Sequence, residues 1–494
     1  MKESFGSRVA WGVAWTLFGR GSSLVMNMVV GITVTRILSP DAIGLATIAT
    51  VCAGFAEVFA QIGLLPAIVQ REEVEPRHLN TAFWTDNAIG AVWGVGFAAL
   101  APVVVAIYDD PRLLPLLLAL ATMFPLAAIG KVHRAQMQRA MEFRQLARID
   151  VISSLLVGGI AIAAVLLGAG VWAIILRVVL TRAMTSVLTW YATGWLPRWL
   201  YDREALRELF DFSGRLFAAE VIAYLARSLD RLVMGRAFGT ETLGYYSRAS
   251  GLVVQPLGNL TQVLASVLFP SLSRIQNDIP RVRSVYVRML GSVALVSFPM
   301  AVGLVVLSDD LVAVVLGESW LPAGQYVRIL ASLLLWQALM NMNKTVFKAL
   351  GRADVLLKVT VSTRLLIIVS TLSGLPWGPV GMAWGYLIGS GAATMIAEAL
   401  AGRLIELKWR SLAKPLGQVA VCAALLGVGL YGALDWAWSA HVARPLRILL
   451  GLGVGATLYP LALALVRPEP LRDLLDFVRR WRERRRGAAT DADE

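Results

Sequence analysis

Apolar residues fall in long runs along almost the whole chain, and short polar gaps separate the runs. A helix of about 20 mostly apolar residues is long enough to cross a bilayer, so each run of that length predicts one membrane span. Fourteen runs qualify, at about 11–38, 41–69, 80–107, 112–138, 146–167, 170–193, 212–238, 241–271, 285–308, 322–348, 354–375, 379–402, 412–434 and 445–466. The pattern predicts an all-α multi-pass membrane protein with 14 transmembrane helices.

Composition narrows the class of protein further. Hydrophobic residues make up 57% of the chain and charged residues 16%, against roughly 25% charged in soluble domains. This excludes a soluble enzyme, a nucleic-acid-binding protein and a secreted disulfide scaffold. The three histidines are scattered, and no phosphate-binding glycine loop or nucleophile elbow occurs. We therefore expect no catalytic residues, no metal site and no cofactor.

Basic residues orient the predicted spans. Of the 46 lysines and arginines, 33 lie on the side that holds the N-terminus, every second loop and the C-terminal tail. Four lie on the opposite side: Arg36, Arg112, Arg236 and Arg444. Basic residues concentrate on the cytoplasmic side of membrane proteins. Both termini are therefore predicted to be cytoplasmic, which requires an even number of spans.

Two segments 200 residues apart share an arginine, an acid and a glycine at the same spacing. They read Arg36-Ile-Leu-Ser-Pro-Asp41-Ala-Ile-Gly44 and Arg236-Ala-Phe-Gly-Thr-Glu241-Thr-Leu-Gly244. Each joins the first two spans of a half, which indicates an internal duplication. Since six spans separate equivalent helices, the two halves insert with the same orientation. They are predicted to be related by a pseudo-two-fold axis along the membrane normal.

This repeat divides the chain into five predicted segments. Residues 1–193 form an N-terminal six-helix bundle and residues 212–402 form a C-terminal one. Residues 194–211 form a cytoplasmic amphipathic linker, in which Leu206 and Leu209 alternate with Arg203 and Arg207. Residues 412–466 hold the extra helices 13 and 14. Residues 467–494 are predicted to form a basic amphipathic cytoplasmic tail with a disordered acidic end.

Charged and polar residues inside the spans fall on narrow helical stripes. A charge at the bilayer centre costs at least about 2.5 kcal/mol, so such residues should face the bundle interior or water. The stripes are Arg20, Asn27 and Gly31 in span 1; Thr50, Gly54, Glu57 and Gln61 in span 2; Glu220, Tyr224, Arg227 and Arg231 in span 7; and Arg248, Gln255, Asn259 and Gln262 in span 8. Because these spans are equivalent in the two halves, the stripes predict one hydrated cavity between the halves.

Arginines outnumber acids on these stripes, so the cavity should attract an anion, and the guanidinium fork suits phosphate. The candidate substrate-binding residues are Arg20, Arg227, Arg231 and Arg248. Asn27, Gln61, Tyr224, Gln255 and Asn259 are the candidate polar lining, and Glu57 and Glu220 are candidates for coupling to H⁺ or Na⁺. The alternative is that these charges pair internally and hold helices together. Glu398, Arg364 and Arg447 lie close to span ends, where snorkelling towards water explains them.

Three blocks of sequence resemble a known family. They are Ser228-Leu-Asp-Arg-Leu-Val-Met-Gly235, Leu243-Gly-Tyr-Tyr-Ser-Arg-Ala249 and Val267-Leu-Phe-Pro-Ser-Leu-Ser273. They are similar to the polysaccharide-transporter family of Wzx-type flippases, colanic acid exporters above all, over about residues 8–410. The resemblance implies the multidrug/oligosaccharidyl-lipid/polysaccharide (MOP) exporter fold. It also implies alternating-access transport of a polyprenyl-diphosphate-linked oligosaccharide across the bacterial inner membrane, for exopolysaccharide, O-antigen or capsule synthesis.

The resemblance also implies partners and site residues. Membrane lipids, the lipid-linked substrate, and glycosyltransferases and a polymerase of the same pathway would be partners, and no nucleic acid would be. Cationic residues on spans 1, 2, 7 and 8 receive the diphosphate in related flippases. Arg20, Arg227, Arg231 and Arg248 match them by position, whereas span 2 offers Glu57. Two alternatives share this fold: a cation-coupled multidrug exporter, and a flippase for the peptidoglycan lipid precursor.

Overall fold

The computed structural model describes residues 21–22, 24–60, 64–71, 73–473, 475–476 and 479. It describes the backbone alone for residues 64, 66, 70, 210–223, 226–227, 255–257, 259–271, 337–338, 340–341, 353 and 409. Every regular element in this part of the chain is a helix. The chain divides into two compact units, Met1–Gly244 and Tyr245–Glu494.

Among the described residues, the first unit contains eight helices and the beginning of a ninth. They are α1 (Leu24–Ile37), α2 (Pro40–Ala60), α3 (Leu64–Gln70), α4 (Pro76–Tyr108), α5 (Leu113–Ala121), α6 (Met123–Arg139), α7 (Phe143–Leu166), α8 (Trp172–Thr193) and α9 (Arg203–Arg274). The second unit begins within α9. It continues with α10 (Ile279–Val306), α11 (Ser308–Val315), α12 (Ala323–Ala331), α13 (Leu334–Ala349), α14 (Ala353–Ser373), α15 (Gly378–Leu404), α16 (Trp409–Ser439) and α17 (Arg444–Val466).

Capping residues and prolines set several helix starts. At α4, the backbone N–H of Glu75 donates to Nδ1 of His78 at 3.1 Å, and Pro76 takes the first helical position. At α10, the Asp278 carboxylate accepts from the backbone N–H of Arg281 at 3.1 Å. Both arrangements satisfy backbone donors that a helix start otherwise leaves without a partner, and proline lacks the donor altogether.

Helix α9 is interrupted at Gly239. This residue has φ 83° and ψ 171°, a conformation that is essentially restricted to glycine because it has no Cβ. The sequence predicted a break between the spans at 212–238 and 241–271, and Gly239 lies at that position.

Ten helices in the described part are long and apolar enough to cross a membrane. The four other predicted spans correspond to α1, to the two parts of α9, and to the pair α12 and α13, so the count of 14 stays a prediction. Large apolar side chains are exposed along the helices, as on α4 at Val92 (69%) and Val95 (72%). Such exposure fits lipid contact, because a soluble monomer rarely shows contiguous apolar patches of this kind. The protein is a multi-pass membrane protein.

Each unit has its own apolar core. In the first unit, Leu209 at the beginning of α9 packs with Ile68 of α3 and Phe83 of α4. In the second unit, Leu290 of α10 packs with Val346 of α13. A neighbouring cluster joins α10 to α16 through Phe298, Val419 and Ala423. The predicted helix 13, which lies in α16, therefore packs on α10. The division of the chain into five segments stays a prediction.

Candidate functional site

The structure describes the side chains of five predicted site residues. These are Asn27, Glu57, Tyr224, Arg231 and Arg248. Arg20 and Gln61 lie outside the described residues, and Glu220, Arg227, Gln255 and Asn259 belong to the residues described by backbone alone.

Tyr224 brings the predicted stripes of α2 and α9 together within the first unit. Its hydroxyl donates to the carbonyl oxygen of Val51 at 2.9 Å, and its ring centroid lies 6.2 Å from that of Phe55. A Cβ placed on Gly54 would come 2.2 Å from the Tyr224 hydroxyl oxygen. A glycine at position 54 is therefore what allows the tyrosine to approach the α2 backbone this closely.

Arg231 lies seven residues beyond Tyr224, two helical turns along the same face of α9. Its side chain is half-buried. Its Nε is buried and has no hydrogen-bond partner among the described residues. A guanidinium has five N–H donors and no acceptor, so this nitrogen retains a donor for an anionic ligand. Arg248, in the second unit, is also half-buried.

Glu57 forms an ion pair with Arg182 of α8. Nη2 of Arg182 lies 2.7 Å from Oε1 and 2.9 Å from Oε2 of Glu57. The Glu57 side chain is 19% exposed and that of Arg182 is 42% exposed. Position 182 falls within the predicted span at 170–193, but the sequence analysis did not pair Arg182 with Glu57. The sequence did show an acid and an arginine in two spans of the same half. Helical periodicity alone could not show that these two spans face each other and that the two charges pair.

Asn27 has a second arginine of α8 as its partner. Nη2 of Arg177 donates to Oδ1 of Asn27 at 2.5 Å. Helix α8 therefore directs Arg177 towards α1 and Arg182 towards α2. The sequence reasoning did not include either arginine among the site residues.

Comparison with known proteins identifies the family. The family model described as polysaccharide biosynthesis protein matches residues 33–325, more than half of the chain. The chain belongs to the polysaccharide biosynthesis protein family. It is 27% identical over 424 residues to the teichuronic acid biosynthesis protein TuaB of Bacillus subtilis (strain 168), covering 85% of this chain and 88% of the relative. It is 27% identical over 395 residues to the lipopolysaccharide biosynthesis protein WzxC of Escherichia coli (strain K12), covering 78% and 79%.

Solved structures show the fold of this family member. The lipid II flippase MurJ in an inward closed conformation matches with a TM-score of 0.72 at 13% identity, over 94% of this chain and all of the other (100%). A multidrug resistance MATE family transporter of the MOP superfamily, in an inward-facing conformation, matches with a TM-score of 0.58 at 17% identity, over 78% and 94%. The multi-pass helical MOP fold expected from the resemblance is therefore confirmed.

On the predicted cytoplasmic side of this family member, Glu208 anchors the beginning of α9. Nδ1 of His78 accepts the Glu75 backbone N–H, so Nε2 carries the proton and donates to Glu208 at 3.2 Å. Arg71 also forms an ion pair with Glu208. The hydrogen bonds from His78 and Arg71 hold the pKa of Glu208 below its ordinary value of 4.5. These contacts attach the linker segment to α3 and α4.

On the predicted outer side, Asp41 joins three parts of the first unit. Nη1 of Arg112 donates to its Oδ2 at 2.7 Å, and the Thr240 hydroxyl donates to its Oδ1. Arg112 also binds Asp110 at 2.7 Å and keeps the pKa of Asp110 below the ordinary range through this hydrogen bond. The acid of the first repeated motif thus contacts the segment that carries the second.

Proposed function

We propose that this protein is a flippase that moves a polyprenyl-diphosphate-linked oligosaccharide from the cytoplasmic to the outer leaflet of the bacterial inner membrane. The product would serve exopolysaccharide, O-antigen or capsule synthesis. Family membership supports the polysaccharide pathway, since the relatives are named for teichuronic acid and lipopolysaccharide biosynthesis. The likeness to a lipid II flippase supports a fold that can move a lipid-linked substrate.

One observation favours a diphosphate over other cargo. Arg231 sits half-buried on a predicted transmembrane segment, and its buried Nε has no hydrogen-bond partner among the described residues. Holding a guanidinium at membrane depth is costly, and the cost is offset when an anion supplies the missing acceptor. Non-bridging phosphate oxygens match the planar donors of arginine and accept short charge-assisted hydrogen bonds.

The proposed mechanism uses the cationic stripe for the diphosphate alone. Arg231, together with Arg20, Arg227 and Arg248, would donate N–H groups to the diphosphate as it enters from the cytoplasmic side. The polyprenyl chain would stay in lipid, because each CH₂ group buried in lipid is more stable by about 0.8 kcal/mol than the same group exposed to water. The polar lining would come from Tyr224 and from the set Asn27, Gln61, Gln255 and Asn259. Alternating access would then expose the diphosphate to the outer leaflet.

Coupling to an ion gradient would drive the cycle. We propose Glu57, which is paired with Arg182, and Glu220 as carboxylates that exchange H⁺ or Na⁺ during transport. The chain would act as a carrier and not as an enzyme, with both termini in the cytoplasm. Glycosyltransferases and a polymerase of the same pathway would be its neighbours.

Alanine substitution of Arg231 in the native host tests the function. Loss of one charge-assisted contact to the diphosphate weakens the interaction by about 1.5–3 kcal/mol, so surface polysaccharide should fall at least about tenfold. Membrane levels of the protein should stay normal, and Arg231→Lys should retain part of the export. Arg227→Ala and Arg248→Ala should behave like Arg231→Ala. The matched control is Arg236→Ala, an exposed arginine on the same helix, which should export normally.

Three results would count against this proposal. Normal surface polysaccharide in both Arg231→Ala and Arg227→Ala would contradict it. The MATE likeness keeps a multidrug exporter as the alternative. That alternative would be favoured if overexpression raised drug resistance and deletion left surface polysaccharide unchanged. A defect in cell-wall precursor export, with normal polysaccharide, would instead favour a peptidoglycan-precursor flippase.

A further inference from the structure

Glu398 is a buried carboxyl group in the second unit that the proposed binding stripe does not include. It lies on α15, in the predicted twelfth span, and is only 4% exposed. No ion pair to Glu398 occurs among the described residues. An ionised carboxylate buried without a countercharge is expensive, whereas a protonated carboxyl with hydrogen bonds is tolerated. The position therefore calls for a specific role or partner.

Its polar neighbours come from two other helices. The hydroxyl oxygen of Tyr286, on α10, lies 2.8 Å from Oε1 of Glu398 and 2.5 Å from Oδ1 of Asn343, on α13. Tyr286 is 0% exposed and Asn343 is 1% exposed. Oε2 of Glu398 and Nδ2 of Asn343 are buried without a hydrogen-bond partner among the described residues.

Counting protons in this cluster shows that it accommodates two charge states. The phenol has one proton, yet its oxygen lies next to two acceptor atoms. If Glu398 is protonated, it donates to the phenol oxygen and the phenol donates to Oδ1 of Asn343. If Glu398 is ionised, the phenol donates to the carboxylate and the Asn343 amide turns to donate to the phenol. Reversing the chain of hydrogen bonds converts one of these states into the other.

A pocket links this cluster to the surface. It has a volume of about 350 Å³ and is lined by Glu398, Arg403, Glu406 and Lys408 together with apolar residues. From α10, Arg283 donates to the backbone carbonyl of Glu406 at 2.6 Å. Helix α14 contributes apolar Val359, which packs with Ala397 and Ala401. Water in the pocket can therefore reach the vicinity of Glu398 from the side that the basic residues predict to be cytoplasmic.

We propose that Glu398 is a proton-binding site, loaded and unloaded through this pocket, with Tyr286 and Asn343 stabilising both of its protonation states. The role of this site in transport rests on the proposed flippase function: binding and release of the proton at Glu398 are coupled to the transport cycle. Glu398 is a different carboxyl group from the candidates Glu57 and Glu220, and it belongs to the second unit. Its ligand is the proton. A metal ion would favour a second carboxylate at the site, and none of the described hydrogen-bond partners of Glu398 is a carboxylate.

Infrared difference spectroscopy of the purified protein in lipid nanodiscs tests the site without any substrate. A pH change should alter the absorption band of a protonated carboxyl group in the wild type. The band should be missing from Glu398→Gln and present in Glu406→Gln, which alters an exposed acid of the same pocket. Tyr286→Phe removes a donor to the ionised carboxyl, so the titration midpoint should rise by about one pH unit. The same titrating band in wild type and Glu398→Gln would overturn the proposal, as would a wild-type band that does not respond to pH.

Transport measurements separate this inference from the proposed function. Inverted membrane vesicles from the native host should export lipid-linked oligosaccharide faster when a pH gradient is imposed. Glu398→Gln should lose this stimulation, and Glu406→Gln should keep it. If Glu398 titrates but export by Glu398→Gln is still stimulated by the pH gradient, the coupling role is wrong while the flippase function stands. If the wild type exports no oligosaccharide, the proposed function fails, whatever the infrared result. Thermal melting of each variant shows whether it is folded.

Discussion

Gly44 lies directly against the backbone of Thr240. A Cβ placed on Gly44 would come 1.7 Å from the carbonyl oxygen of Thr240, a distance that no side chain can occupy. The reverse contact has the same form, since a Cβ on Gly244 would come 2.0 Å from the carbonyl oxygen of Pro40. Positions 40 and 240, and 44 and 244, are equivalent in the repeated motif. The reciprocal contact is what a duplicated segment packed around a local two-fold axis would produce.

Gly44→Ala and Gly244→Ala should each destabilise the protein. The added methyl group forces the backbones apart, and overpacking of this kind costs about 1–3 kcal/mol. The melting temperature of the purified protein should fall for both variants. Gly251→Ala is the matched control, because that glycine lies on α9 with open space around its Cβ position. Equal melting temperatures for all three variants would show that the close approach does not hold the motifs together.

The ion pair between Glu57 and Arg182 should contribute to stability. A double-mutant cycle with Glu57→Gln, Arg182→Met and the combined variant measures the interaction, which should be about 1 kcal/mol because Arg182 is 42% exposed. The exposed pair of Arg352 and Asp354 serves as the control and should give a value near zero. If Glu57 also couples transport to an ion, Glu57→Gln should lower export by more than its loss of stability explains. Arg182→Met should lower export only as far as its loss of stability explains.

The sequence predicted the helices better than their breaks. Long apolar runs become helices because lipid offers no partner for backbone polar groups. The run at 322–348 is instead divided into α12 and α13, where the N–H of Leu333 bonds to the carbonyl of Leu330 and that of Leu335 to Ser332. These are three-residue turns. Residues 330–335, which form these turns, are as apolar as the residues of a continuous transmembrane helix, so hydropathy could not indicate the break.

Partners of buried charges were the least predictable part. Arg447 and Glu398 lie near span ends, and snorkelling was the interpretation for both. That interpretation is wrong for Glu398, which is 4% exposed and hydrogen-bonded to Tyr286, 112 positions away. Arg447 is 18% exposed and has a partner that the sequence did not indicate, Asp310, 137 positions away. Helical periodicity shows which face carries a charge. It contains no information on which helix packs against that face, and that decides the partner.

Acid should weaken the attachment of the linker segment to α3 and α4. The pKa of Glu208 is lower in the folded protein than its ordinary 4.5. Its contribution to stability is therefore fully present above that value and is lost as the pH falls through the folded-state pKa. Glu208→Gln should lower the melting temperature at pH 7, and the difference from wild type should shrink below about pH 4.5.

The control for the linker experiment is Glu73→Gln, an exposed acid nearby, which should melt like the wild type at both pH values. A Glu208→Gln difference that stayed constant down to acidic pH would mean that the lost charge is not the cause. The attachment would then depend on packing around Leu209.

Neighbouring aspartates at the start of α11 provide the sharpest comparison of buried and exposed ion pairs. Asp310 is 4% exposed, and its Oδ1 accepts from Nη1 of Arg447 at 3.2 Å, with Trp438 Nε1 at 3.4 Å from its Oδ2. Arg447 is 18% exposed. These contacts join α11 to α16 and α17 within the second unit. Asp309 instead pairs with Arg328 at 2.7 Å, and both side chains are more than half exposed.

Asp310→Asn should therefore destabilise the protein by about 3 kcal/mol, because it leaves the Arg447 guanidinium buried without a countercharge. Asp309→Asn removes the same charge one residue away and should cost less than about 1 kcal/mol. Chemical denaturation in detergent measures both. Combining Asp310→Asn with Arg447→Met should recover most of the loss, since the pair is then removed as a unit. If the double variant were no more stable than Asp310→Asn alone, the contribution of Asp310 would come from its contacts with Trp438 and Arg444 and not from Arg447.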